Sequence, residues 1–122
     1  MYCISTQVIF TEQQIKDFGL LTGDDGPVHA IDNVVQGGLI MSCLPKFINE
    51  AFVNNNIQKV HFKSVSAILE AKFRNKLLAN KTVIAEFKFH DSASSVLKVD
   101  WKIYDNSVEY CAGKWVIYKS NI

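Results

Sequence analysis

Asp24 and His29 are a carboxylate and an imidazole separated by Asp25-Gly26-Pro27-Val28, a segment of turn-forming residues. Side chains on either side of such a turn can face one cleft. A carboxylate takes a proton from water, and an imidazole holds or releases one near neutral pH. Positioned acid–base groups of this kind are worth about 10²–10⁴-fold in rate. Gly37-Gly38 follows shortly and opens straight onto the apolar run Leu39-Ile40-Met41. A glycine pair at the start of an apolar helix exposes backbone N–H groups at the positive end of the helix dipole. Such donors stabilise an oxyanion, at about 10²–10³-fold for each donor. Taken together, these parts suit chemistry at a carbonyl compound whose oxygen gains negative charge.

Singly, each part has a plainer explanation. Asp24 and Asp25 can cap turns after Gly23, His29 can be structural, and Gly37-Gly38 can be a tight turn into a helix. His61 and His90 stand in strand-like segments without an evident partner and receive no role. Cys3, Cys43 and Cys111 are odd in number and widely spaced, which fits neither a disulfide framework nor a metal site. Cys43 has an apolar context and belongs in a core. No phosphate-binding glycine motif is present. Neither a metal nor a cofactor is expected.

The elements that must position these residues can be read in order. Gln7 to Phe10 reads as a short strand leading into a helix. Thr11 and Gln14 have capping-box spacing, and Phe10 and Ile15 that of a hydrophobic staple. Ile15, Phe18 and, at its margin, Leu21 form the apolar stripe of this helix, which should end near Thr22-Gly23. Asp25-Gly26-Pro27 reads as a turn that opens another helical turn. Gly38 to Phe52 is helical and apolar nearly all round at its start, so it should lie centrally. Pro45 predicts a kink near Met41 to Leu44, or two abutting helices.

Asn54-Asn55-Asn56 ends that element, and the remainder alternates as antiparallel sheet. Val60 to Phe73 reads as one long or bent strand, with a turn at Leu77 to Lys81. Thr82–Phe89, Val96–Tyr104 and Val108–Tyr118 read as three further strands, with turns at Asp91–Ser95 and Asp105–Ser107. Gly113 inside the last strand predicts a bulge or a close backbone approach. Helices followed by a run of strands argue an α+β class, with the central helix packed on one face of the sheet.

Composition bounds the partners. The chain has 122 residues, the length of one domain, and is 48% hydrophobic and 11% aromatic. Some of its eight Phe, four Tyr and two Trp can serve a subunit interface or an acyl tunnel besides the core. With 13 basic and 12 acidic residues its net charge is +1, which gives no long-range attraction for nucleic acid or an anionic membrane. No apolar run reaches the roughly 20 residues that cross a bilayer, and Met1 to Thr6 does not read as a signal peptide. A reduced, cytoplasmic setting is expected. Lys72, Arg74 and Lys76 can meet anionic phosphates, although a solvated strand face is the better account of them.

The run Phe18-x-x-Leu21-Thr22-Gly23-Asp24-Asp25-Gly26-Pro27-Val28-His29, with Gly37 opening a helix, resembles the motif of MaoC-like (R)-specific enoyl-CoA hydratases. The resemblance implies a hot-dog fold over the whole of 1–122, a long antiparallel sheet wrapped around a central helix. It implies that Asp24 and His29 are catalytic and that Gly37, with Gly38 beside it, binds the thioester oxygen. The implied reaction is hydration of a trans-2-enoyl thioester, or dehydration of an (R)-3-hydroxyacyl thioester, in fatty-acid metabolism. The substrate would be carried on coenzyme A or acyl carrier protein, and the enzyme would be a homodimer. The chain departs from the family pattern at Gly26, where Asn is usual, and at Gln36, where His is frequent. Only seven residues separate His29 from Gly37, a shorter span than the family's, and Pro45 is a further departure. A hot-dog acyl-CoA thioesterase and a non-catalytic acyl-CoA-binding module are the other two function classes compatible with these features.

Overall fold

Strand-forming alternation begins at the very start of the chain. β1 spans Tyr2–Ile9, longer than the expected Gln7 to Phe10, because Ile4, Thr6 and Val8 all face inward and the whole strand pairs with residues 82–89. The structure is a computed structural model and describes residues 2–55, 65–90 and 96–118. His61, the beginning of the strand expected from Val60 and the turn at Asp91–Ser95 lie outside the described residues.

Helix α1, Glu12–Thr22, starts on the expected capping box. The Gln14 N–H donates to Thr11 Oγ1 at 3.2 Å, and the Thr11 N–H donates to Gln14 Oε1 at 2.8 Å. It ends at Gly23, whose φ of +80° closes the last turn through an N–H to the Gly19 carbonyl at 2.8 Å. Ile15 is buried and Phe18 packs against the core, but Leu20 and Leu21 are exposed. The apolar stripe therefore ends one turn earlier than the sequence suggests, because the loop after Gly23 folds back against Gly19.

α2, Pro27–Ala30, is a single turn with Pro at its first position. α3, Gly37–Asn54, is one unbroken helix through Pro45, so of the two outcomes expected there, a kink or two abutting helices, the second does not occur. Leu44, Phe47, Ile48, Ala51 and Phe52 are all buried around and beyond that proline. At about 1.5–3 kcal/mol for a fully buried large side chain, this packing outweighs the roughly 3 kcal/mol cost of the proline. Phe47 meets Phe10 edge-on at 5.5 Å, and Phe52 lies tilted against Phe89 at 5.5 Å. The C-terminal end is tied to β1 by Asn54 Nδ2 donating to the buried Thr6 Oγ1 at 2.8 Å.

β2 (Val65–Phe73), β3 (Thr82–His90), β4 (Val96–Asp105) and β5 (Val108–Tyr118) complete one antiparallel sheet in the order β1-β3-β4-β5-β2. Only β3, β4 and β5 form a meander; β2 pairs with β5 at the far edge rather than with its sequence neighbour β3. The central strands alternate, with Phe87, Phe89, Val99, Trp101 and Ile103 facing α3. Lys98, Asp100 and Lys102 face away.

Gly113 sits where two backbones touch: a Cβ there would lie 1.7 Å from the Glu70 carbonyl oxygen. The bulge is elsewhere, at Tyr110, which the β4–β5 register skips. Its freed carbonyl accepts from Arg74 N at 2.9 Å and Asn75 N at 3.3 Å, and so shapes the end of β2. Cys111 is fully buried, and burial pushes its thiol pKa up to about 12.

Candidate active site

The turn between α1 and α2 brings Asp24 and His29 together. His29 Nε2 lies 3.4 Å from Asp24 Oδ1, with the imidazole largely buried and the carboxylate half exposed. The other ring nitrogen, Nδ1, is 2.7 Å from the Val34 carbonyl oxygen. A carbonyl only accepts, so Nδ1 carries the proton and donates it. In the neutral ring Nε2 is then a free lone pair aimed at the carboxylate.

The short span from Ala30 to Gln36 is held at both ends. Val34 N donates to the Val28 carbonyl at 3.1 Å, so both backbone groups of Val34 are used to close the α2 turn. Val34 also bridges to Leu78, Val35 N donates to the Leu77 carbonyl at 2.8 Å, and Ala79 N donates to the Asn33 carbonyl at 2.9 Å. Seven residues suffice because the span runs as a strand-like strap along 77–79 rather than as an open loop.

Gln36 is wholly buried and was not legible as a site residue from sequence. Its Nε2 donates to the Ile15 carbonyl at 2.8 Å and to the Asp24 carbonyl at 3.1 Å. As the N-cap of α3 it makes no side-chain capping bond, so its own side chain does not take up the first N–H groups of the helix. Gly37 and Gly38 lie between two rings. A Cβ at Gly37 would be 2.8 Å from Phe73 Cζ, and one at Gly38 would be 2.9 Å from Phe18 Cζ. The glycine pair thus lets both rings pack close, as well as being suited to presenting N–H groups. Besides its place in the family pattern, the sequence signal for Gln36 was a polar residue flanked by Val34-Val35 and an apolar helix, where burial requires a partner.

Beside Gly37 opens a cleft of about 300 Å³ with an apolar wall of Val35, Ile40, Phe73 and Leu77. Arg74 and Lys76 stand at the same cleft, with Arg74 Nε 3.3 Å from Glu109 Oε2. Lys72 is not part of it and lines a broad hollow of about 880 Å³ with Lys88, Lys102 and Glu86. His90 pairs with Asp100 at 2.5 Å on the outer face of the sheet, away from Asp24 and His29. Among the described residues no helix is long and apolar enough to cross a membrane.

No protein-family model matches the chain, and no curated protein matches it in sequence. Its fold does match solved structures. Protein AF1124 from Archaeoglobus fulgidus superposes with a TM-score of 0.78 at 18% identity, covering 98% of this chain and 77% of that one. The (R)-hydratase of A. caviae involved in PHA biosynthesis superposes at 0.74 with 14% identity, covering 98% and 95%. The fluoroacetyl-CoA-specific thioesterase FlK, in a variant form, superposes at 0.71 with 9% identity, covering 96% and 84%. The fold is the hot-dog fold expected from the sequence.

Proposed function

We propose that the protein is an acyl-thioester hydratase: it adds water to trans-2-enoyl thioesters and, in reverse, dehydrates (R)-3-hydroxyacyl thioesters on coenzyme A or acyl carrier protein. The observation that carries this reading is the oriented pair. His29 Nδ1 is committed to Val34, and Nε2 faces Asp24 at 3.4 Å. A water donating one O–H to each acceptor at about 2.8 Å needs them roughly 4.4 Å apart. The half-exposed Asp24 side chain supplies that opening by rotation. The compact pair matches the charge state reached after proton transfer, with an imidazolium Nε2–H against the carboxylate.

In the forward direction the water oxygen bonds to C3 while one of its protons passes to His29 Nε2. The C2=C3 electrons move toward the thioester carbonyl, whose oxygen becomes negative. The N–H groups of Gly37 and Gly38, at the uncapped positive end of α3, stabilise that oxygen. Imidazolium Nε2–H then returns the proton to C2, leaving His29 neutral. Asp24 accepts the water's second O–H and neutralises the imidazolium between the two steps. The cleft beside Gly37 takes the acyl chain, and a homodimer of the kind the sequence resemblance implies would complete the site.

The fold of the (R)-hydratase and of the thioesterase is the same, so fold supports the substrate class and the Asp24–His29 geometry supports the reaction. The test is hydration of crotonyl-CoA and longer enoyl-CoAs by wild type, Asp24→Asn and His29→Ala. Loss of enoyl absorbance by wild type, reduced about 10²-fold or more in each variant, is expected. Hydration that persists unchanged in both variants sinks the mechanism. Release of free thiol without hydration means a thioesterase, and tight acyl-CoA binding without turnover means a binding module.

A further inference from the structure

We infer that Gln36 is a positioning residue for the reaction proposed above: its side-chain amide fixes the backbone that carries Asp24, and so sets the Asp24–His29 geometry. This inference rests on that reading of the site.

Three observations point to the same role. Gln36 has no exposed surface, although it is a polar residue at the start of α3. Its Nε2 donates to two carbonyls from different elements, Ile15 in α1 at 2.8 Å and Asp24 at 3.1 Å. The reverse amide orientation would set an oxygen against both carbonyl oxygens, so the assignment of donor and acceptor is forced by chemistry. Its Oε1, by contrast, is buried and accepts no hydrogen bond from the described residues. A buried amide that leaves its acceptor unused and uses its donor twice is retained for the donor.

The Asp24 segment is clamped on the other sides too. A Cβ at Gly19 would be 3.2 Å from the Asp24 carbonyl oxygen and 3.1 Å from Asp25 Cβ, so the loop rests directly on α1. The Asp24 N–H points to Thr22 Oγ1 at 3.3 Å. Thr22 thus holds one side of the Asp24 peptide and Gln36 the other. Gln36 also immediately precedes Gly37, so one residue joins the loop bearing the carboxylate to the helix end proposed to bind the oxygen. Its side-chain amide makes no capping bond to α3 and is spent on Ile15 and Asp24. Removing that amide loosens Asp24 and leaves the oxygen-binding end in place.

Gln36→Met keeps the length and burial of the side chain and removes the donor; Gln36→Asn keeps the amide and shortens its reach. Each is measured for crotonyl-CoA turnover, alone and combined with Asp24→Asn, with thermal unfolding followed in parallel. Expected is a roughly ten- to hundredfold fall in kcat with KM within about twofold, since small misplacements of a catalytic group cost up to about 10²-fold. In the Asp24→Asn background the same change costs less than about twofold, because Gln36 acts through Asp24. If Gln36→Met does not fold, Gln36→Asn carries the test. A wild-type kcat in the folded Gln36 variants, while Asp24→Asn is crippled, overturns this inference and leaves the hydratase reading standing. Equal losses in the two backgrounds overturn it as well. Absence of hydration in wild type overturns both.

Discussion

Replacing Gly113 with alanine tests the packing that aims β2 at the site. The new methyl carbon would lie 1.7 Å from the Glu70 carbonyl oxygen, 2.7 Å from its carbon and 3.0 Å from Trp101 Cε2. A tolerable carbon–oxygen approach is about 3.3 Å, so roughly 1.5 Å of relief is required. Gly113 is opposite Trp101 on one side and Ala71 on the other, and β4 is locked between two strands. The edge strand β2 must therefore move. A shift of that size stretches neighbouring ladder bonds beyond hydrogen-bonding distance, at about 1 kcal/mol for each of two bonds, and residual crowding adds about 1–3 kcal/mol. The expected loss is about 3–5 kcal/mol, or roughly 10–20 °C in Tm for a chain of this size. Phe73 closes β2 and rests on Gly37, so acyl-CoA binding should weaken with stability. Urea unfolding with amide hydrogen exchange at β2 measures both effects. Gly26→Ala is the control: nothing lies within 4 Å of a Cβ there and φ is −59°, so its stability should stay within about 0.5 kcal/mol. A Gly113→Ala loss below 1 kcal/mol with unchanged β2 protection would refute the steric account.

The remaining predictions concern stability and thiol chemistry. Thr11→Ala removes half of the capping box and should lower unfolding free energy by about 1 kcal/mol, whereas Thr11→Ser should retain most of it in the same denaturation assay. The Cys111 thiol is raised from 9.0 to about 12 by burial, so below pH 9 its stability contribution is complete. Between those values the unfolded chain gives up the proton first, and stability falls as pH rises, by about 4 kcal/mol at the upper limit. Cys111→Ala should flatten the stability curve over that alkaline window; an unchanged slope would contradict the assignment. At neutral pH, exposed Cys3 should react with Ellman's reagent in the native protein and Cys111 only on unfolding.

Local chemistry was legible in the sequence where it was set by neighbours in the chain. The capping box at Thr11 and Gln14, the glycine stop at Gly23 and the approach of Asp24 to His29 are decided within a few residues. Gly113 also announced a close backbone approach, because a glycine amid strand residues leaves a gap that another chain segment can enter. Tertiary decisions were hidden. Pro45 suggested a break, but burial of its neighbours on α3 keeps one helix. Leu21 fitted a helical stripe, yet the returning loop covers Gly19 instead and leaves Leu21 in solvent. The strand order β1-β3-β4-β5-β2 depends on β2 crossing to the far edge, which alternation alone does not encode. The site followed the same division. Asp24 and His29 were visible as types at a spacing, whereas Gln36 and Phe73 act through contacts distant in sequence: Gln36 reaches back to Ile15, and Phe73 meets Gly37.

In the proposed reaction one face of the substrate receives both water and proton from the Asp24–His29 pair. Hydration of crotonyl-CoA in D₂O reads this directly, since NMR coupling constants of the product give the relative placement of deuterium at C2 and hydroxyl at C3. In the proposed mechanism His29 Nε2 both takes the water proton and returns it, with Asp24 Oδ1 only 3.4 Å away, and the addition is then syn. Asp24→Asn and His29→Ala are expected to slow the same stereochemical course rather than change it. Anti addition, or hydration indifferent to either substitution, would contradict this mechanism.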